Sequence, residues 1–302
     1  MNKKIGYIIC CILLVSSCEK ETVIVSNNDA PFYDKIPTVL LENYVNRIYI
    51  DLIGREPLDS EMVNDVEYLR ENDVSFESRD FLIYKLQFDT VYISGDISYK
   101  FAYFHRIYDM VKVRLIEGAS NGDISFYMRN HFADYEVDSV AGNLIEAQKH
   151  LIEYYKLKLV INSESDYYDN ILDIKEMHKR MIYNSIYDQI NMNTFNFVNA
   201  AFDNLLFRYP TQNEFNNSYS MIEDKQPHTI FGFSGSNKYD FTNLICNSRE
   251  FYEGVIHWVY LTMLARTPST VERDFLMNDF YITNDFQKLQ RFIMITDEYA
   301  HF

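Results

Sequence analysis

The chain has 302 residues, 47% of them hydrophobic and 24% charged, a balance that excludes a disordered tail, a collagen-like fibre and a polytopic membrane protein. Its net charge of −16 offers no basic stripe with which to displace phosphate counterions, so no nucleic-acid partner is expected. Nine glycines and six prolines are too few to punctuate a turn-dense all-β architecture, and the composition predicts an all-α protein.

Lys3 and Lys4 precede an apolar run over residues 5–15 that is too short to span a bilayer, and Ser16 and Ser17 lead into Cys18. With Val15-Ser16-Ser17-Cys18, this order of features resembles the bacterial lipobox. The resemblance implies a signal peptide over residues 1–17, acylation of the Cys18 thiol, and a lipid anchor in the outer membrane in place of a spanning helix. Cys10 and Cys11 would leave with the signal, so Cys246 remains as a lone thiol that cannot form an internal disulfide. It is expected to be a small buried apolar residue. Loss of Lys3 and Lys4 makes the rest of the chain more acidic, which disfavours lying flat on an anionic leaflet. A tethered globule is expected, with residues 18–37, mixed in Ser, Asn, Asp and Pro, as the tether. Glu19-Lys20-Glu21 resembles the acidic surface-export signals of Bacteroidetes lipoproteins, and both the periplasmic and the surface face stay open.

The next signal is an internal repeat. With Pro57, Pro210 and Pro268 in one column, Arg55, Arg208 and Arg266 stand two residues before and Glu61, Glu214 and Glu272 four after. Ile53, Leu206 and Leu264 fall four before; Tyr49, Phe202 and Tyr260 eight before; Val45, Val198 and Ile256 twelve before. Apolar positions four apart lie on one helix face. The proline is expected to end that helix, and Asp59 or Thr211 to cap the next one in the first two copies. Each copy then reads as a helix–turn–helix, and the domain expectation is a helical bundle in two parts, residues 38–162 and residues 163–302, the latter with two copies. The arginine is expected to serve the turn itself, through carbonyls at the helix end or the glutamate of the following helix. A second motif, Ser248-x-Glu250-Phe251, recurs as Thr296-x-Glu298-Tyr299, and residues 86–92 offer a degraded first copy.

Tyr49-Ile50-Asp51-Leu52-Ile53-Gly54-Arg55-Glu56-Pro57 resembles the Leu-Gly-Arg-x-Pro signature of a bacterial repeat of unknown function related to phycobilisome-linker domains, and Ser248-Arg249-Glu250-Phe251 is similar to its closing motif. The segment Asp51-Leu52-Ile53-Gly54, with Pro57 and Glu61, also looks like a domain of unknown function in planctomycete cytochrome-associated proteins. These resemblances imply small helical bundles and an adhesive or assembly role, but no reaction. Phe207 and Ala265 replace the glycine in the other two copies, and no Cys-x-x-Cys-His for haem attachment is present.

Residues 99–118 and 140–159 read as helices broken around residues 118–122, with a loop at 162–166 before a helix near 168–192. Residues 223–239 form the one long Gly/Pro/Ser-bearing loop, where Phe231 and Phe233 flank Gly232 and could present an aromatic tip to a ligand or fold back onto the core. The 25 tyrosines and 22 phenylalanines suit glycan or protein contacts, and A/T-rich codon usage explains them equally well. His105 and His131 flank the central helices. Glu146, His150 and Glu153 share a helix face, but a metal would need converging ligands from elsewhere. Residues 71–73 and 163–166 lack the spaced oxygens and glycine of a calcium loop. Phosphate loops, hydrolase elbows and zinc-spaced cysteines are missing, so no catalytic residue, metal ligand or cofactor is assigned. The functional expectation is a non-enzymatic envelope lipoprotein, a binding or assembly subunit of an outer-membrane complex with a protein partner. Glycan or protein capture by the Phe231/Phe233 loop is the alternative, followed by an envelope hydrolase built on an unrecognised carboxylate pair.

Overall fold

Helix starts in this chain are set by polar caps. Ser75, Ser98, Ser120, Asp173, Asn184, Asn193, Thr211, Asn237, Ser248, Ser269, Asp285 and Thr296 each accept a backbone N–H from the first turn of the helix that follows. The computed structural model describes residues 36–93 and 97–302, and among them the fold is all-α, with fifteen helices and one two-stranded hairpin. The signal peptide 1–17, the lipidation site Cys18 and all but the last two residues of the tether 18–37 lie outside the described residues.

The helices are α1 (Thr38–Ile53), α2 (Asp59–Glu71), α3 (Phe76–Phe88), α4 (Tyr99–Leu115), α5 (Asn121–Ala141), α6 (Leu144–Tyr168), α7 (Ile174–Ile182) and α8 (Ser185–Asn191). There follow α9 (Thr194–Leu206), α10 (Gln212–Ile222), the antiparallel pair β1 (His228–Ile230) and β2 (Phe233–Gly235), α11 (Lys238–Asn247), α12 (Arg249–Leu264), α13 (Thr270–Thr283), α14 (Phe286–Met294) and α15 (Asp297–Ala300).

The repeat is larger than a helix–turn–helix. Each unit is three helices and the capped start of a fourth: α1–α3 into α4, α9–α11 into α12, and α12–α14 into α15. Helix α12 therefore closes the second unit and opens the third, which brings Pro210 and Pro268 close together in sequence. The Ser-x-Glu-aromatic motif is the fourth-helix start: Phe251 N–H donates to Ser248 Oγ at 3.1 Å and Tyr299 N–H to Thr296 Oγ at 3.2 Å. In the first unit the motif is split. Helix α3 ends at Phe88, and the matching cap is Ser98, which accepts the Phe101 N–H at 3.4 Å. Residues 86–92 thus hold only the helix end of that copy.

The units close on one another. Tyr44 packs edge-on against Tyr299 and donates its hydroxyl to the Met294 carbonyl, Arg79 donates to the Ile295 carbonyl at 2.6 Å, and Tyr103 donates to Gln290 at 2.5 Å. The first unit thereby packs on the third, and residues 38–302 make one compact unit. The division expected at 162/163 falls inside α6, so the two-part reading is replaced by a single body. The polar run at 162–166 lies within α6, with Ser163 fully buried. Ser163 Oγ and Ser165 Oγ turn back to the carbonyls of Leu159 and Asn162, and Asp166 pairs with Arg180 at 2.6 Å. The break expected there lies instead at Gly142, in the left-handed region with φ 81°, between α5 and α6. The segment read as one helix near 168–192 forms two, α7 and α8.

The second and third units meet at a close helix crossing. A Cβ built on Gly254 of α12 would stand 2.0 Å from the carbonyl oxygen of Leu205 in α9. Alanine ordinarily stabilises a helix over glycine by about 1 kcal/mol. Here the sign reverses: Gly254→Ala should destabilise by about 1–3 kcal/mol through the forced separation of α9 and α12, read as a lower urea midpoint at unchanged slope.

Candidate functional site

The Arg, Pro, Glu and aromatic columns of the sequence repeat converge at three turns. Helices α1, α9 and α12 end in a left-handed residue, Gly54, Phe207 and Ala265, with φ of 76°, 54° and 53°. These residues end the helices. The prolines lie three positions further on, immediately before the caps Leu58, Thr211 and Ser269. The cap of the first copy is thus Leu58, with no side-chain acceptor, where Asp59 was expected, and Ser269 supplies the third cap. Arg55 donates through both terminal nitrogens to Glu61 at 2.7 and 2.9 Å, Arg208 to Glu214 at 2.9 and 2.6 Å, and Arg266 to Glu272 at 3.1 and 2.6 Å. In every copy the glutamate also accepts the cap N–H at 2.7 Å, while the arginine donates to the carbonyl of the next residue, Glu56, Tyr209 or Thr267. The aromatic eight before the proline is the platform beneath the guanidinium: Tyr49 at 5.6 Å, Phe202 at 5.3 Å and Tyr260 at 5.0 Å. Of the two roles expected of the arginine, the pairing with the glutamate of the next helix is realised, while the carbonyl it reaches belongs to the turn and not to the helix end.

The fourth-helix motif supplies a second carboxylate, a pairing missed at the sequence level although both motifs were visible. Arg208 Nε donates to Glu250 at 2.7 Å, and Arg266 holds Glu298 through Nε and Nη2 at 2.5 and 2.6 Å. In the first unit the acceptor glutamate is itself buried, and the Tyr99 hydroxyl donates to Glu61 at 2.7 Å. Beside it, Asp65 accepts from Tyr49 at 2.8 Å and pairs with Lys85 at 2.6 Å. The bonds from Arg208 hold Glu214 down at about 2, and those from Arg266 do the same for Glu272. Burial pushes Glu61 upward, but the bonds from Arg55, Tyr99 and the Leu58 N–H outweigh it, and its pKa is lowered.

Two further arginines cover helix ends. Arg114 donates to the Asn204 carbonyl in the last turn of α9, lying over Phe207 and Trp258, and burial lowers its pKa to about 9. Arg47 donates to the carbonyls of Met263 in α12 and Tyr299 in α15. Neighbouring His178 is fully buried and held neutral, its pKa lowered to about 3 by burial and then by Arg114. Cys246 is fully buried, and burial pushes its thiol far above the ordinary range.

The 223–239 loop carries the hairpin, and the aromatic pair is divided. Phe231 folds back and stacks on Phe202 with centroids 5.8 Å apart, while Phe233 stays 67% exposed. The pair therefore forms no continuous aromatic platform.

The most exposed apolar surface was not singled out in the sequence. Helices α5 and α6 form a long antiparallel arm about the Gly142 turn. Of α5 only Ile124 is buried, and of α6 the buried residues other than Ala147 lie from Leu157 onward. The outer arm is thus free of the body, and at its tip Val137, Val140, Leu144 and Ile145 are 68–92% exposed. Inward of the tip, His131 of α5 and His150 of α6 face each other, with Asp134 beside them. Within α6 alone the sequence offers Glu146, His150 and Glu153; the groups that converge on His150 come from α5, across the Gly142 turn.

In comparisons with known proteins, no family model, no curated protein and no solved structure matches this chain.

The clasps set an acid limit to stability. A group whose folded pKa lies below its unfolded value contributes stability above the unfolded value and loses it as pH falls through the folded one. His178 is expected to erode stability from pH 6.5 towards 3, and Glu214 with Glu272 from pH 4.5 towards 2. Thermal midpoints measured from pH 7 to 2.5 should fall in both windows. In the double variant Glu214→Gln/Glu272→Gln, lower-melting at neutral pH, the decline below pH 4.5 should be visibly flatter.

Proposed function

We propose that this protein is a non-enzymatic, lipid-anchored subunit of an envelope assembly that docks a protein partner with the apolar tip of its α5–α6 arm. The observation that carries the reading is the tip itself, where Val137, Val140, Leu144 and Ile145 stand in solvent at the end of a two-helix projection. Contiguous exposed apolar residues on a folded surface mark interaction sites. Burying four such side chains would contribute about 1.5–3 kcal/mol each before the costs of association.

The charges around the tip select the kind of partner. Glu136, Asp138 and Glu146 surround it, with Lys149 as the nearby cation, so an anionic leaflet would repel the surface that a protein with a basic rim would complement. Anchoring is read from Lys3, Lys4, the apolar run and Val15-Ser16-Ser17-Cys18; among the described residues no helix is long and apolar enough to cross a membrane. The clasps are read as structural, because the same Arg–Glu geometry recurs three times. With Phe231 turned inward, the hairpin loop is the weaker docking candidate.

Two outcomes are expected. Cys18→Ser should move the protein from the membrane to the soluble fraction. Gentle detergent extraction of the tagged protein should recover a stoichiometric partner that is lost in Val140→Asp/Ile145→Asp, while the thermal midpoint of the purified variant stays within about 2 °C, since surface substitutions outside the core change stability little. Recovery of the protein alone, or a partner indifferent to both aspartates, would contradict the reading.

A further inference from the structure

The arm carries a constellation that neither its packing nor its docking tip requires. His131 Nδ1 and His150 Nδ1 approach to 3.3 Å across the two helices, and Asp134, one turn after His131 on α5, brings Oδ2 to 3.9 Å from His150 Nδ1. One ligand atom from each of the three lies within 4.8 Å of the others. For a cation with ligands at about 2.0–2.1 Å in tetrahedral geometry, neighbouring donor nitrogens stand about 3.3 Å apart. The two imidazoles already hold that separation. Asp134 is 59% exposed on its side chain, so a small rotation completes a third ligand, and the fourth position faces solvent.

The outer nitrogens are arranged as metal-bound histidines require. His131 Nε2 lies 3.0 Å from Ser185 Oγ at the start of α8, and His150 Nε2 lies 3.7 Å from Asp138. An ionised carboxylate only accepts, so a small movement of Asp138 towards His150 Nε2 would hold a proton on that nitrogen and leave Nδ1, which faces His131, to ligate. The two facing nitrogens share a hydrogen bond when one of them carries a proton, and a cation bound between them would take that proton's place. Glu153, one turn after His150 on α6, adds negative charge next to His131, and its Oε2 is buried without a hydrogen-bond partner while Oε1 pairs with Lys156.

We propose that His131 Nδ1, His150 Nδ1 and Asp134 form a binding site for a late first-row divalent cation of the zinc class, which pins α5 to α6 beneath the apolar tip. Two imidazoles with one carboxylate suit such an ion better than magnesium or calcium, which prefer all-oxygen shells. The site stands independently of the docking reading, because its ligands and their hydrogen-bond partners belong to this chain alone.

The test is calorimetric titration of Zn2+ into the full-length protein in detergent, carrying no histidine tag, with Co2+ absorption as a second readout. One equivalent is expected to bind with micromolar or tighter affinity, and Co2+ to give the intense visible bands of a low-coordinate site. His131→Gln/His150→Gln should abolish both signals. Asp134→Asn, at an exposed position that the fold does not need, should weaken Zn2+ about tenfold, and Asp138→Asn by a similar factor, about the effect of losing an outer-shell partner. Absence of one-equivalent binding at about 100 µM Zn2+, or binding left unchanged by both the Asp134 variant and the double histidine variant, overturns the proposal.

Discussion

A helix that ends within a few residues of the next helix start leaves carbonyls and N–H groups facing one another without partners, and the architecture depends on how this chain satisfies them. The answer is one arginine and one glutamate six residues apart. The carboxylate takes the cap N–H of the next helix, the guanidinium takes the turn carbonyl of the residue that follows the arginine, and the two are joined bidentately over an aromatic ring. A non-glycine residue in the left-handed region costs about 1–2 kcal/mol. Phe207 and Ala265 adopt that conformation beside the same clasp that the first copy builds on Gly54.

The clasps also join the units. Because Glu250 and Glu298 come from the start of the fourth helix of their units, each of the last two turns ties together three helices rather than two. Sharing α12 makes the second and third units inseparable, and the packing of Tyr44, Arg79 and Tyr103 on the last helices returns the first unit to the third. The body is therefore closed, and α5–α6 is the element left projecting from it. Few buried contacts hold the outer arm, so it is the part of the chain expected to open locally at the lowest free energy.

How much of this was legible in the sequence depends on range. The columns of Arg, Pro and Glu and the aromatic and apolar positions could be read directly, because the clasp is local and its helix face has a period of four. The all-α class followed from the scarcity of turn residues. The role of Glu250 and Glu298 needed a contact across more than thirty residues, although the Ser-x-Glu-aromatic motif displayed it. Ser98 was hidden because the segment between α3 and α4 splits the motif. The polar run at 162–166 imitated a loop, since serines that bond back to a helix carbonyl look the same in sequence as serines in a turn. That misplacement had a consequence for chemistry. Without the break at Gly142, His131 and His150 have no reason to meet, and their facing geometry emerges only from the register of the arm.

The claim on which the account rests is that the three clasped turns are the rigid points of the molecule and the arm tip its soft point. Residue-resolved amide hydrogen exchange of the native protein measures both at once. The account predicts that the N–H groups of Leu58, Thr211 and Ser269, each held by a glutamate, exchange only through global unfolding, while those around the tip at 140–145 exchange through local opening at far lower free energy. Turn amides that exchange as fast as the tip would contradict it.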